Sequence, residues 1–221
     1  MTQKFTILFD LDGTLIDTAP DLIRAHNHVM KKFGYPTKTL GELKNAVGRG
    51  AKAMMAKANG QWKWFDEKIQ NEMTNEFLSY YGENILHESK LINGVKEFLN
   101  WCKKENISMA VCTNKTEHLA VDLLKKIGIY DYFEYVAGYN TFEYCKPDPR
   151  HLTTIIEILD GDKNKTIMIG DSETDANAAK AAEIPIILLK YGYTEKKSDE
   201  IYHNHLIKDF VGIEKIITKY L

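Results

Sequence analysis

Short apolar runs alternate with amphipathic stretches along most of this chain of 221 residues. A strand buried on both faces is apolar at nearly every position, whereas a surface helix repeats its apolar positions every three or four residues. Four runs are nearly continuous in apolar residues and a fifth is weaker, and we predict that each is a buried strand. These runs are FTILF (5–9), ISMAVCT (107–113), TIMIG (166–170), IPIILL (184–189) and the weaker YVAG (135–138).

Helical patterns fill the segments between the later strands. Apolar residues recur at helical spacing in three of these segments, beginning at Val95, Leu119 and Leu152. Alternation of strands and helices is typical of the α/β class, in which a doubly wound parallel sheet carries helices on both faces. We therefore predict a Rossmann-like core made of residues 1–15 and 88–221.

One long segment, residues 16–87, interrupts the alternation because it holds helical patterns and no strand run. Stretches with turn residues, FGYPTKT, VGRGA and NGQW, punctuate it. We predict that it is an inserted small helical cap domain. Its first helix should begin near Thr18, since Thr18, Pro20 and Asp21 fit an N-cap, an early proline and a capping box.

Composition narrows the class of partner. The chain has 29 basic and 31 acidic residues, so no charge bias favours nucleic acid or a membrane surface. Its three cysteines lack paired spacing, which is typical of reduced thiols, and no apolar run has the length of a signal peptide or a membrane span. We expect a cytoplasmic protein, monomeric or weakly homo-oligomeric, that acts on a small molecule.

Polar side chains follow the predicted strands at their carboxyl ends, where open parallel sheets bind ligands. Taken singly, several have ordinary structural explanations: Asp175 could cap a helix with Ser172, and Lys146 could be a solvated loop lysine. We consider them together because the fold brings strand ends to one edge. The set is Asp10 and Asp12 after the first strand, Thr113 and Asn114 after the second, Asp171 and Asp175 after TIMIG, and Lys146 in CKPDP, just before a helix whose expected N-cap is Asp148.

Clustered carboxylates at this edge require a compensating cation. Two like charges 4 Å apart repel by about 4 kcal/mol at an effective dielectric constant near 20. A site of this kind stays ionised only beside positive charge, and oxygen ligands select a hard ion. The sequence therefore predicts a metal site, with Mg²⁺ as the expected ion.

The order of these motifs resembles that of the haloacid dehalogenase superfamily. Its members carry D-x-D-G-T after the first strand, Thr or Ser after the second, Lys often followed by Pro, and then G-D-x-x-x-D. All four motifs occur here in that order, and the resemblance spans the whole chain. They are Asp10 to Thr14, Thr113, Lys146 with Pro147, and Gly170 to Asp175.

The resemblance implies a role for each matching residue. Asp10 would be the nucleophile that forms an aspartyl phosphate, and Asp12 would be the general acid and then the general base. Thr113, with the backbone of Asn114, and Lys146 would bind the phosphoryl oxygens. The implied magnesium ligands are Asp10, the carbonyl of Asp12, Asp171 and the adjacent Asp175.

Further stretches resemble the phosphoglycolate phosphatases within this superfamily, among them DLDGTLIDTAPDL, VGRGA and GDSETDANAAKAAEIP. One departure is Asp148, where relatives commonly carry His. In this group the insert is a mobile cap that selects the substrate, which directs attention to Arg49 in VGRGA. Its guanidinium group matches the carboxylate of 2-phosphoglycolate, although Arg49 could equally be a surface residue near a helix start.

The motifs leave other functions open. A phosphatase of another small phosphomonoester, such as a sugar phosphate or a nucleotide, would share most of them. A related phosphomutase would share every core residue and differ in the cap. A dehalogenase of this superfamily would not keep Asp12 as acid and base, and a phospho-accepting receiver module would be about half as long and would lack G-D-x-x-x-D.

Overall fold

A six-stranded parallel sheet forms the centre of the structure, a computed structural model that describes residues 3–43, 46–47, 50–58, 66–194 and 196–221, without the side chains of Ala53, Lys57 and Ala58. In chain order, its strands are β1 (Thr6–Phe9), β4 (Ser108–Cys112), β5 (Tyr135–Ala137), β6 (Thr166–Gly170), β7 (Ile186–Leu189) and β8 (His205–Ile207). Their order across the sheet is β5-β4-β1-β6-β7-β8. The predicted strands are confirmed, and β1 lies between β4 and β6 with Phe9 opposite Val111 and Ile169.

Two hydrophobic clusters cover the two faces of this sheet. Ile7 and Phe9 of β1 belong to one cluster, and the intervening Leu8 belongs to the other. Successive strand residues point to opposite faces, so a strand buried on both faces must be apolar throughout. The predicted doubly wound α/β class is confirmed. The helices of this core are α5 (Val95–Lys104), α6 (Glu117–Ile127), α7 (Arg150–Ile158), α8 (Glu173–Ala181) and α9 (Glu214–Ile217).

The segment 16–87, which we call the insert, is mainly helical. In it, helices α1 (Ala19–Lys32) and α3 (Ala51–Ala58) both pack against α4 (Glu67–Glu83). A short strand at its beginning pairs antiparallel with one just after its end, although no strand was predicted there. The division into a core and a cap at residues 16 and 87 stays a prediction. The elements are β2 (Ile16–Asp17), α1 (Ala19–Lys32), α2 (Leu40–Leu43), α3 (Ala51–Ala58), α4 (Glu67–Glu83) and, after the insert, β3 (Lys90–Leu91).

The beginning of α1 differs from the predicted capping box. Thr18 is the N-cap residue, but its side chain makes no capping hydrogen bond and donates instead to Asp12 Oδ1 at 2.7 Å. The Asp21 carboxylate accepts hydrogen bonds from the backbone N–H groups of His87, Glu88 and Ser89, at 3.0 to 3.1 Å. The residues chosen for a local cap therefore make tertiary contacts.

The start of α7 also differs slightly from the prediction. Its N-cap residue is Pro149 rather than Asp148. The Asp148 carboxylate still accepts a hydrogen bond from the first helical N–H, that of Arg150, at 2.9 Å.

Within the described part of the chain, no helix combines the length and the apolar character needed to cross a bilayer.

Candidate active site

The carboxyl ends of β1 and β6 bring three aspartates together. The Asp10 N–H donates to the carbonyl of Ile169 at 2.9 Å. Asp10 and Asp171 therefore follow two paired strands at the same edge of the sheet. Asp175 lies in the first turn of α8, the helix that follows β6. All three are buried, and each offers a carboxylate oxygen within 4.8 Å of the others. The predicted acidic cluster is therefore formed.

Lys146 lies inside this cluster. Its ammonium group donates to Asp10 Oδ1 at 2.8 Å and to Asp175 Oδ1 at 2.6 Å, and its side chain is only 2% exposed. The Asn114 side chain donates to the Lys146 carbonyl at 2.8 Å, and the Lys146 N–H donates to His151 Nδ1 at 3.2 Å. Lys146 is therefore a fixed, buried cation, and the alternative of a solvated loop lysine is wrong.

The single positive charge of Lys146 does not fully compensate the negative charges of the cluster. Burial raises the pKa of Asp10 to about 6, although the Lys146 ammonium group lowers it. Burial also raises the pKa of Asp171 well above its usual value, and the negative charges of Asp175 and Asp10 add to the effect. Burial opposes the charged form of Lys146, but the Asp10 and Asp175 carboxylates outweigh it and raise its pKa. Additional positive charge would favour the ionised forms of Asp10 and Asp171.

Asp171 is fixed by the backbone around it. The Tyr193 N–H donates to Asp171 Oδ2 at 2.6 Å, and the Thr14 hydroxyl donates to Oδ1 at 3.2 Å. Gly13 has a φ of +84°, and a Cβ there would overlap the Asp171 carboxylate. Only glycine fits this position, because it tolerates the left-handed conformation and leaves room for the carboxylate.

Asp175 has two functions in the structure. Its Oδ2 accepts hydrogen bonds from the N–H and the hydroxyl of Ser172, completing a capping box with that residue. Its Oδ1 faces Lys146. The capping explanation is therefore correct for this residue, and the same cap fixes the carboxylate that faces Lys146, while its role in a metal site stays a prediction.

Asp12 points away from this cluster, towards the insert. Its carboxylate oxygens each lie 2.9 Å from the Lys115 ammonium group, and Oδ1 also accepts the Thr18 hydroxyl. The two carboxylates of the D-x-D motif therefore have different environments. Asp10 faces a lysine and two aspartates, whereas Asp12 faces a lysine, a hydroxyl group and an open cavity.

This cavity lies between the sheet edge and the helices of the insert, with a volume of about 670 Å³. Asp12, Asn114 and Lys115 line it from the core. Phe77 and Tyr81 of α4 line it from the insert, and both side chains are buried. Cavities of this size are typical of sites for small molecules. Further insert residues on its wall include Leu22, Met54 and Leu78.

Thr113 is buried directly after β4, the strand that lies next to β1. Its N–H donates to the Ala137 carbonyl at 2.9 Å, and its hydroxyl accepts the Lys115 N–H at 3.2 Å. The backbone after β4 thus turns tightly beside the aspartates. Arg49, the predicted substrate contact, lies outside the described residues, as do Trp62 and Trp64.

Two residues that contact the aspartates of the site were not predicted from the sequence. Lys115 follows Thr113 and Asn114 directly, but nothing in its spacing shows that it is buried. Tyr193 bonds Asp171 through its N–H, and its hydroxyl contacts Asp17 and accepts the Ala19 N–H at 3.0 Å. Both contacts join segments far apart in sequence.

The acidic cluster fits a magnesium ion. Its ligand atoms are carboxylate oxygens, which suit a hard divalent cation, and they lie close enough to share one. Burial, with a contribution from neighbouring carboxylates, raises the pKa values of Asp10 and Asp171, so an added cation would favour their ionised forms. The Asp12 side chain is occupied by Lys115 and Thr18, so this residue would contribute its carbonyl oxygen, as the sequence comparison implied.

Comparison with known proteins agrees with this geometry. The family model described as haloacid dehalogenase-like hydrolase matches residues 7–189. A phosphoglycolate phosphatase of Mesorhizobium japonicum is 37% identical over 205 residues, covering 92% of this chain and 90% of the relative. Another from Agrobacterium fabrum is 37% identical over 218 residues, covering 96% and 94%.

A solved structure gives the same result. The crystal structure of a predicted phosphoglycolate phosphatase from Haemophilus somnus superimposes with a TM-score of 0.91 at 29% identity, covering 98% of this chain and 99% of that one. A β-phosphoglucomutase from Clostridium difficile has a TM-score of 0.80 at 20% identity, which shows a shared fold. The fold, the motif order and these matches establish that the chain belongs to the haloacid dehalogenase-like hydrolase family.

Proposed function

We propose that this protein is a magnesium-dependent phosphomonoesterase that hydrolyses 2-phosphoglycolate to glycolate and phosphate. The observation that carries the proposal is the division of the D-x-D motif. Asp10 faces Lys146 and the acidic cluster, whereas Asp12 faces the cavity. A nucleophile and an acid that act on opposite sides of one phosphorus atom require such a division. The substrate is proposed because the relatives at 37% identity carry the name phosphoglycolate phosphatase.

The reaction proceeds in two displacements. An oxygen of Asp10 attacks phosphorus, the bond from phosphorus to the ester oxygen breaks, and Asp12 gives its proton to the leaving oxygen. Water then attacks the phosphorus of the aspartyl phosphate and gives a proton to Asp12. The bond between phosphorus and Asp10 breaks, so phosphate leaves and both aspartates return to their starting states.

The remaining core residues bind the phosphoryl group. The Thr113 hydroxyl and the Asn114 backbone would donate to its oxygens from the loop after β4. Lys146, held between Asp10 and Asp175, would offset the negative charge that develops in each displacement. The Asn114 side chain orients Lys146 by donating to its carbonyl.

The magnesium ligands in this proposal are Asp10, Asp171, Asp175 and the carbonyl of Asp12. When bound, the ion supplies positive charge that offsets the charges of the carboxylates and the phosphoryl oxygens. The chain itself fixes Asp171 through Thr14 and Tyr193, and it fixes Asp175 through Ser172.

The experiment is a panel assay of phosphate release with magnesium. The panel contains 2-phosphoglycolate, sugar phosphates and nucleotides, and the highest kcat/KM is expected for 2-phosphoglycolate. A higher kcat/KM for a sugar phosphate or a nucleotide would overturn the substrate while keeping the chemistry. Formation of an isomeric sugar phosphate without phosphate release would instead identify a phosphomutase.

The proposal includes a role for the insert as a cap, with Arg49 binding the substrate carboxylate. Arg49→Lys keeps the charge and loses the planar pair of donors. We expect it to weaken transition-state binding of 2-phosphoglycolate by about 1–3 kcal/mol and to leave an aryl phosphate nearly unaffected. An unchanged ratio of the two kcat/KM values would exclude Arg49 from the site.

A cytoplasmic location and a monomeric or weakly homo-oligomeric state belong to the same proposal. They are supported by the free thiols of Cys102, Cys112 and Cys145 and by the balanced charge of the chain. Fractionation of cells and sedimentation of the purified protein test these two points.

A further inference from the structure

Lys115 has the properties of a ligand-binding cation. Its side chain is 5% exposed, and its ammonium group lies 2.9 Å from both Asp12 oxygens and 4.6 Å from the centre of the Tyr81 ring. An ammonium group has three N–H donors, and Asp12 takes two of them. Lys115 therefore lies at the junction of the catalytic edge and the insert, between Asp12 and Tyr81.

The charge of Lys115 is maintained despite its burial. Burial disfavours the ammonium form, but the Asp12 carboxylate, with both oxygens 2.9 Å away, compensates its charge. The face of the Tyr81 ring adds a favourable cation–π contact. When Asp12 carries the proton that it gives to the ester oxygen, its charge no longer cancels that of Lys115, and a cation in a mostly apolar cavity attracts an anionic group more strongly than it does in water.

The other described lysines do not have this position. Lys146 is held between two aspartates and is not among the described residues that line the cavity. Lys52 lines the cavity but is exposed to solvent. Among the described cavity residues, Lys115 is thus the buried cation that faces the ligand space.

The position of Asp12 relates this cation to the substrate. To transfer a proton, Asp12 must lie within hydrogen-bond distance of the ester oxygen. In 2-phosphoglycolate one methylene group separates that oxygen from the carboxylate. A cation already in contact with Asp12 can therefore reach the carboxylate of a substrate whose ester oxygen is at Asp12.

We propose that Lys115 is the core residue that selects substrates carrying a carboxylate one carbon from the phosphate ester. This inference rests on the proposed function. It assigns substrate selection to the core loop after β4 as well as to the insert. Asp12 would share Lys115 with the substrate, so the residue that protonates the ester oxygen and the residue that recognises the acid end act side by side.

The test compares two substrates in three proteins. The substrates are 2-phosphoglycolate and phosphoglycolamide, in which a neutral amide replaces the carboxylate. The proteins are the wild type, Lys115→Met, which keeps the unbranched stem against Tyr81, and the control Lys52→Met, which removes an exposed cation from the same cavity. The measured quantity is the ratio of kcat/KM for the acid to kcat/KM for the amide.

We expect Lys115→Met to lower this ratio by about 10-fold to 100-fold, since a hydrogen bond between charged groups contributes about 1.5–3 kcal/mol. Lys52→Met should change it less than about 3-fold, as screened surface charges do. If both substrates lose activity equally in Lys115→Met, Lys115 only positions Asp12 and the proposal is overturned. A wild-type ratio near one would overturn the proposed substrate and the role of Lys115 together.

A binding measurement separates recognition from chemistry. In an Asp10→Asn background, calorimetry should show weaker binding of 2-phosphoglycolate after Lys115→Met and unchanged binding of inorganic phosphate. Equal weakening of both ligands would contradict carboxylate recognition. If thermal melting shows that the Met variant is unfolded, Lys115→Gln retains a donor for Asp12 and replaces it in both experiments, with the same expected direction.

Discussion

Two groups of side chains in the described part of the chain are compact enough to hold a cation, and the pKa values of their aspartates are shifted in opposite directions. One is the cluster of Asp10, Asp171 and Asp175 at the candidate active site, and the other is centred on Asp21, beside His87 and Glu88. Burial raises the pKa of Asp21, but hydrogen bonds from the Ser89 hydroxyl and from the N–H groups of residues 87–89 outweigh it, so the pKa lies below its usual value.

The difference is in what surrounds each carboxylate. Asp21 faces peptide N–H groups, the Ser89 hydroxyl and the Arg24 guanidinium group, the last at 3.0 Å. Its charge is stabilised by groups that are always present, so it needs no ion. Asp10 and Asp171 face other carboxylates and one lysine, so their charge is only partly compensated. Proximity of acidic side chains is therefore not enough to identify a metal site.

The largest expected effect separates the two clusters by activity. Asp10→Asn keeps the size of the side chain and removes the nucleophile, so turnover should fall at least about 1,000-fold. Its melting temperature should stay the same or rise, because a repelling charge is removed. Steady-state assays and thermal melting check this, with Asp21→Asn as the matched control that retains turnover. Near-normal turnover of Asp10→Asn would show that another group attacks phosphorus.

Metal binding provides the second distinction. Excess chelator should abolish activity, magnesium should restore it, and calcium should not, because its larger and more flexible coordination misplaces Asp10. Magnesium at 100 times its Kd should stabilise the wild type by about 2.7 kcal/mol.

The same thermal shift should occur in Asp21→Asn and should be absent from Asp171→Asn. Full activity in chelator, or loss of the shift in Asp21→Asn, would contradict the assignment of the metal to the catalytic cluster.

The Asp21 cluster should instead control stability. Asp21→Asn replaces one of the two accepting oxygens by an NH2 group, which cannot accept a hydrogen bond, so the free energy of unfolding should fall by about 1–3 kcal/mol. Urea denaturation measures the loss. Asp122→Asn, which removes an exposed helical pair with Lys126, should cost less than about 0.5 kcal/mol. Equal losses in the two variants would mean that the Asp21 contacts add nothing beyond a surface pair.

The smallest expected effect is a difference in how the two regions make the stability of the protein depend on pH. His151, behind Lys146, is buried, and burial together with the Lys146 charge lowers its pKa from 6.5 to about 3. The unfolded chain then binds a proton below pH 6.5 that the folded chain does not bind, so stability falls as the pH drops from 6.5 towards 3. Between pH 7 and 5.5 this costs about 1 kcal/mol.

His151→Asn should remove that part of the pH dependence, as measured by urea denaturation at both pH values. Asp21 has a pKa shift of the opposite kind. Because its pKa is lowered, the stability that its carboxylate contributes is present above pH 3.8 and is lost only as the pH falls below that value. An unchanged slope in His151→Asn between pH 7 and 5.5 would contradict this assignment.

The parallel sheet was predictable because burial on both faces leaves a continuous apolar signature, as in TIMIG. The edge strand β8 was not predicted, since its three residues are only partly buried and give no such run. The strands β2 and β3 have two residues each and exist only through their mutual pairing. Their formation depends on how the chain returns from the insert, which no local pattern records.

The candidate site was predictable where residues follow strands, because topology alone brings Asp10 and Asp171 to one edge. Side-chain direction was not predictable in the same way. Thr18 and Asp21 fit a local capping motif, yet they bond to Asp12 and to residues 87–89. Lys115 was missed because its burial depends on Tyr81 and Asp12, which approach it from distant parts of the chain.

The pairing of β2 with β3 makes the insert a replaceable module. Asp17 lies opposite Lys90 in antiparallel register, so the chain leaves the core and returns to it at neighbouring points. A two-residue hairpin turn can join such positions. Recombination could therefore exchange one insert for another, or remove it, without changing the order of the parallel strands. Under the proposed role of the insert, new substrates would then be acquired by grafting, while the parallel sheet is inherited intact.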